Sequence, residues 1–237
     1  MCGRFSLHLL DISRIIAELG ATRSGIEHWE PRYNLAPSQD APVVLRGKDE
    51  QRLVELQWGF VPHFAKKPSQ TRPINARGET AATKPLFRDA FQRRRCIVPA
   101  TGYFEWSRQR PAKGATKQPY WIHPQDGTAL FYMAGLWAHC RPDNAEALTT
   151  FAVVTRPAVG LPAQVHDRMP LILQPDEART WLTAGTIDDA WYHGLLSRPD
   201  DGTQLDLRPV NKMVNSAAVD QPECLQEVNP KEQLALF

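Results

Sequence analysis

Twenty prolines are spread through the 237-residue chain, and they limit its architecture more than any other feature. Proline removes a backbone donor and fixes φ, so it breaks helix interiors and central strands. The chain should be built from short strands, turns and loops, with few and brief helices. At 42% hydrophobic and 23% charged residues, it carries enough apolar side chain for a full core. The longest apolar run, Ala129 to Ala138, has ten residues, too few to cross a bilayer. Asp11 and Arg14 interrupt the apolar stretch near the start, unlike a secretory leader. The expected setting is intracellular, with no membrane contact.

Periodicity predicts a helix over 11–19, with Asp11 as N-cap, Ile12, Ile15, Ile16 and Leu19 on one face, and Gly20 ending it. Pro85–Gln92 and Pro175–Thr183 read as further helices, the second opened by Pro175 and the acidic pair Asp176-Glu177. Strands are predicted at Cys2–Ser6, 43–46, 52–60, Cys96–Val98, Gly102–Ser107, Pro119–His123, Leu130–Trp137 and Thr149–Thr155. Glu30–Pro37 reads as a turn, 61–73 as a loop, 108–118 as a basic flexible loop and Asp126-Gly127 as a hairpin turn. The result is one mixed α+β domain over 1–220 with a strand-rich core, followed by a flexible tail, 221–237.

The formal net charge of +2 conceals an asymmetry. Residues 66–118 hold 13 Lys and Arg against Glu79, Asp89 and Glu105, a segment charge of +10, and the rest of the chain is −8. On charge alone this fits a polyanion-binding face or an ordinary solvated surface equally. The four cysteines, Cys2, Cys96, Cys140 and Cys224, include no CxxC pair, which argues against a zinc or thioredoxin-type site. No metal or other cofactor is expected. Three of the thiols read as core packing.

Cys2 differs because of its position. Loss of Met1 would leave a free α-amine and a thiol on adjacent carbons. Their ordinary pKa values, about 8 and about 8.5, give both a reactive fraction near neutral pH. A 1,2-aminothiol is suited to aldehydes: the amine forms an imine and the sulfur closes a five-membered thiazolidine ring. In extended chain, residues i and i+2 share a face. That sets Cys2 beside Arg4, Asn75 beside Arg77, and His166 beside Arg168, each a polar group paired with a phosphate-type cation. Glu105, within Tyr103-Phe104-Glu105-Trp106, would have a raised pKa if buried, suiting it to proton transfer.

Six motifs follow in order: Met1-Cys2-Gly3-Arg4-Phe5, Arg32-Tyr33-Asn34-Leu35-Ala36-Pro37, Trp58-Gly59-Phe60-Val61-Pro62, Asn75-Ala76-Arg77-Gly78-Glu79-Thr80, Gly102-Tyr103-Phe104-Glu105-Trp106 and His166-Asp167-Arg168-Met169-Pro170. Together they resemble the SRAP family, the abasic-site processing proteins also called SOS response-associated peptidases. The resemblance runs from Cys2 to about Val210. It implies a barrel-like antiparallel core with flanking helices. It also implies covalent capture of abasic sites in single-stranded DNA and at single-strand/double-strand junctions. The resemblance assigns Cys2 as nucleophile, Asn75 as the residue positioning its amine or the sugar, and Glu105 and His166 as proton carriers. Arg77 and Arg168 would grip phosphates, and Arg4 and Asn34 would line the groove. Where relatives commonly offer bulky aromatics to bases, this chain has Pro62-His63-Phe64-Ala65, leaving Phe64 as its stacking platform, with Lys66 and Lys67 nearby.

The chain ends Gln233-Leu234-Ala235-Leu236-Phe237, similar to the peptide by which bacterial proteins dock on the replication sliding clamp. Gln233 would enter a polar pocket, and Leu234, Leu236 and Phe237 an apolar cleft. A monomer in the cytoplasm, nucleoid-associated when on DNA, is expected. Two other functions fit the same residues. One is an N-terminal-nucleophile thiol peptidase or amidohydrolase using Cys2, His166 and Glu105. The other is a noncatalytic single-stranded DNA-binding module.

Overall fold

The computed structural model describes residues 2–47, 50–67, 69, 71–108, 116–125, 130–143, 146–200 and 203–229. Its strands are β1 (Arg4–Leu7), β2 (Ala21–Arg23), β3 (Arg32–Leu35), β4 (Asp40–Arg46), β5 (Gln51–Trp58), β6 (Asn75–Arg77), β7 (Arg95–Ala100), β8 (Gly102–Trp106), β9 (Pro119–Pro124), β10 (Phe131–Cys140), β11 (Leu148–Pro157), β12 (Arg168–Pro170), β13 (Ile172–Leu173) and β14 (Leu205–Pro209). The helices are α1 (Ser13–Leu19), α2 (Gly78–Ala81), α3 (Arg88–Arg93), α4 (Pro175–Thr183) and α5 (Asp189–Ser197). All are short, as the proline distribution requires.

Five strands close into a barrel in the order β11-β10-β7-β4-β5, and β5 returns to β11. The expected α+β class and barrel core are present. The neighbours are antiparallel except at the closing seam, where β5 and β11 run parallel, with Thr150 opposite Gln57 and Phe151 opposite Trp58. Trp58 plugs this seam. It is almost fully buried, stacks on Phe151 at 6.2 Å and donates from Nε1 to Ile74 O at 2.9 Å. Gly59 then takes φ +135°, a conformation that favours glycine, and the chain leaves the barrel. It comes back as β6, which continues the line of β5 along β11 and sets Asn75 opposite Val153 and Arg77 opposite Thr155. On its other edge β11 pairs with β10 and then β12, so that Pro157 faces Arg168.

A second sheet, in the order β14-β9-β8-β1-β3, carries the amino terminus. β1 lies antiparallel to β8, with Arg4 opposite Phe104 and Phe5 opposite Tyr103. The strands alternate sides between two apolar clusters: Phe5 and Tyr103 join the main core, whereas Phe104, Trp121, Val210, Val214 and Cys224 form a smaller one.

Several local expectations need correction. Glu30–Pro37 is not only a turn, since Arg32–Leu35 forms β3 on the edge of the second sheet. Ile12, not Asp11, occupies the N-cap of α1, although the Asp11 carboxylate still accepts the Ser13 N–H at 2.9 Å. Gly20 ends α1 in the left-handed conformation, as expected. α3 starts three residues after Pro85, following a turn in which Phe87 N–H bonds Lys84 O. α5 and β14 carry no signal strong enough to have been predicted. The packed chain also runs beyond residue 220: Cys224 is fully buried and Val210 bridges Glu227. The hairpin turn Asp126-Gly127, most of loop 108–118, and Gln233, Leu234, Leu236 and Phe237 lie outside the described residues.

Candidate active site

The site forms where β1 of the second sheet meets the seam of the barrel. Cys2 is fully buried just ahead of β1. Asn75, at the start of β6, donates from Nδ2 to Cys2 O at 2.8 Å. The Asn75 Oδ1 is buried and has no hydrogen-bond partner among the described residues. Continuing the β1–β8 register by one residue brings Gly3 opposite Glu105, so Cys2 reaches the carboxylate's surroundings from the adjoining strand. The segment after β11 folds back through a short 3₁₀ turn, Leu161–Gln164, into β12 and supplies His166. The His166 Nδ1 accepts the Arg168 backbone N–H at 3.0 Å.

The electrostatics tie these groups together. Burial, and next the Glu105 charge, push the Cys2 thiol far above its ordinary range. Burial raises the Glu105 carboxyl to about 7, Asp167 adds to the rise, and the charge of the chain's amino terminus opposes it. His166 is held below the ordinary histidine range, chiefly by burial and then by the amino-terminal charge, against the pull of Asp167. Near pH 7 the Glu105 carboxyl therefore stands between its two protonation states, while burial biases the imidazole and the thiol toward their neutral forms. That set can donate and accept protons during addition to a carbonyl. Among the described residues, no cluster of His, Cys, Asp or Glu could hold a metal ion. No helix among them is long and apolar enough to cross a membrane.

Two expected groove residues are engaged elsewhere. Asn34 is fully buried and cannot line an open groove. Its Nδ2 donates to Val219 O at 2.7 Å and Ser216 O at 2.9 Å, with Val214 O at 3.3 Å, and so fastens segment 214–219 to β3. Arg168 is not a free phosphate fork, because both of its terminal nitrogens bond Glu79 and Nη2 also donates to Thr155 O at 2.7 Å. Arg77 is exposed beside it. Arg4 donates to Gly3 O at 3.0 Å and reaches Asn215 O at 3.5 Å. Phe64 is 57% exposed, but its loop is anchored where Cys140 Sγ contacts Ala65 O and Asp143 N–H bonds Lys66 O. That is the level of Leu148 on β11, five residues from Val153 beside Asn75, roughly 17 Å along the strand.

Reading the sequence alone misses Asn215, Glu79 and the pair Arg108–Asp167. Asn215 accepts from Trp106 Nε1 at 2.6 Å next to Glu105. Arg108 and Asp167 lie 2.8 Å apart, nitrogen to oxygen. Glu79 and Asp167 each sit within a motif already noted, two residues from Arg77 and next to His166, and that was the available signal. Asn215 and Arg108 meet their partners only through the fold.

A barrel with a cysteine at the second position of the chain, and with an asparagine, a glutamate and a histidine brought to it near the seam, defines the class of protein. The family described as SOS response associated peptidase (SRAP) matches residues 1–217, and the chain belongs to that family. It is 33% identical to abasic site processing protein YoqW of Bacillus subtilis (strain 168) over 95% of this chain and 99% of that one. It is 33% identical to abasic site processing protein YedK of Escherichia coli (strain K12), over 96% and 100% of the two chains. Abasic site processing protein HMCES of Xenopus tropicalis is 31% identical, over 85% of this chain and 68% of its own. A crystal structure of a protein from Bacteroides thetaiotaomicron superposes with a TM-score of 0.81 at 26% identity, covering 96% of this chain and all of that one.

Proposed function

We propose that the protein processes abasic sites in DNA, binding them in single strands and at single-strand/double-strand junctions and crosslinking to them through Cys2 after Met1 is lost. An abasic deoxyribose in its open form presents an aldehyde at C1′. The Cys2 α-amine adds to that carbon, and water leaves to give an imine. The sulfur then bonds the same carbon, and the thiol proton passes to nitrogen. The product is a thiazolidine plus one water, with no redox change. Glu105, protonated up to about pH 7, is suited to protonate the departing oxygen, and His166 to relay protons at the ring nitrogen.

The observation that carries this reading is Asn75. Its Nδ2 holds the Cys2 carbonyl at 2.8 Å while its buried Oδ1 lacks a donor among the described residues. An unpaired buried amide oxygen costs about 1–3 kcal/mol. A newly freed Cys2 amine would be a fitting donor for it. The names of the YoqW, YedK and HMCES relatives support the choice of substrate.

The test is a denaturing gel of mature protein incubated with labelled oligonucleotides, with and without an abasic site. The expected result is a band that survives boiling in detergent with the abasic strand only. Cys2→Ala should lower its yield at least ~100-fold. Turnover of a small amide without DNA would instead indicate a thiol hydrolase. Binding indifferent to lesion and Cys2 would indicate a passive single-strand module. The terminal segment Gln233–Phe237 belongs to the same proposal as a sliding-clamp docking peptide, and equal clamp retention after its deletion would discard that part.

A further inference from the structure

His166 Nδ1 lies between two neighbours with opposite requirements. Accepting the Arg168 N–H at 3.0 Å requires a lone pair on Nδ1, which puts the neutral ring's proton on Nε2. The Asp167 Oδ1 stands 2.9 Å from the same Nδ1. That contact is favourable only when Nδ1 carries a proton. The same carboxylate oxygen is claimed by Arg108, whose Nη2 lies 2.8 Å away. Both side chains of the pair are open to solvent, Asp167 at 68% and Arg108 at 50% exposure, so exchange of partners is not blocked by packing. The other charge acting on His166 is that of the amino terminus, and Asp167 also acts on Glu105.

We propose that Asp167 is a positioning residue for His166 and that Arg108 governs it, so that a DNA phosphate drawing Arg108 away releases the Asp167 carboxylate to hold a proton on Nδ1. This rests on the DNA-binding reading above and specifies how binding arms the site. With Arg108 on Asp167, the imidazole is neutral and Nδ1 accepts from Arg168. With Arg108 on phosphate, Nδ1 takes a proton from solvent and keeps it, donating a hydrogen bond to the Asp167 carboxylate, and the Arg168 N–H gives up that acceptor. Arginine suits the exchange because its fork binds carboxylate and phosphate in the same geometry. The ring is thus held as imidazolium once DNA is bound, charged for the proton relay at the ring nitrogen.

The test follows the His166 ring by NMR across pH in wild type, Asp167→Asn and Arg108→Ala. Opposite charge within a few ångströms shifts a titration, less so when exposed. Asp167→Asn should lower the His166 midpoint by about half a unit, and Arg108→Ala should raise it by about the same amount. An undamaged single-stranded oligonucleotide should raise the wild-type midpoint and leave that of Arg108→Ala unmoved. The pH profile of crosslinking should move in the same directions. Unchanged midpoints in both variants would overturn the proposal even if the crosslink forms. Shifted midpoints with no crosslink would count against the proposed function alone. Arg108→Ala alters a half-exposed side chain, so the test stands even if Asp167→Asn perturbs folding.

Discussion

Glu105 is a carboxyl group placed where its charged form is penalised. It is 3% exposed, and burial raises it to about 7. Between about pH 4.5 and 7 the folded chain holds a proton there that the unfolded chain has lost. Stability should therefore fall as pH rises through that window and level off above it. Glu105→Gln removes the penalty while keeping the side chain's shape. The variant should gain up to about 3 kcal/mol at pH 8 and little at pH 4, read as the difference in denaturant midpoint between variant and wild type. It should also crosslink more slowly, because the acid is gone. Equal gains at both pH values would show that Glu105 is ionised at neutral pH and would remove it as the proton donor. At this scale much was legible. Cys2, Asn75, Glu105 and His166 are chemically distinctive residues in recognisable motifs, and the fold gathers them. Asn34 was misread because its amide meets carbonyls of residues 214–219, a contact no local pattern announces.

β3 shows why whole elements escape a local reading. Pro31 and Pro37 bracket it, and a proline-flanked stretch reads as a turn. The stretch is nevertheless a strand, because both edges find partners. β1 pairs with one. On the other, Asp220 replaces a neighbouring strand: its Oδ1 accepts the Tyr33 and Asn34 N–H groups at 2.6 and 2.8 Å, and its Oδ2 takes Arg32 Nε at 2.5 Å. One carboxylate thus satisfies three donors on an element nearly two hundred residues away. One hydrogen bond to a charged group contributes about 1.5–3 kcal/mol, and three on one partly exposed carboxylate are not additive, because water replaces part of what is lost. Asp220→Ala should therefore cost about 2–4 kcal/mol, read by urea denaturation. A cost under about 0.5 kcal/mol would mean that β3 holds without this anchor. By contrast, α4 falls on its predicted bounds, because its start signals, Pro175 and the Glu177 side chain bonding the Gln174 N–H, are local in sequence.

Across the whole molecule, the charge asymmetry of segment 66–118 overstates what can meet a polyanion. Arg95 is buried, with its guanidinium donating to the carbonyls of Phe91, Gln92, Trp181 and Ala184, where α3 and α4 end. It completes helix ends that would otherwise leave acceptors unpaired. Arg94 is paired with Asp89, and Arg72 donates to Gln57. Those cations hold the protein together. Lys66, Lys67 and Arg77 are exposed along the β11 side of the site, and Arg108 joins them if it leaves Asp167. About four phosphate contacts to a single strand give log Kd a slope against log salt of about 3, whereas thirteen would give about 9. Titrating an undamaged single-stranded oligonucleotide at several salt concentrations distinguishes the two. A slope near 9 would mean that the whole basic segment engages DNA and that the Arg95 and Arg94 pairings break on binding. The expected slope of about 3 should fall by about 0.7 on Arg77→Ala. It should stay unchanged on Arg94→Ala, because Arg94 is already occupied by Asp89.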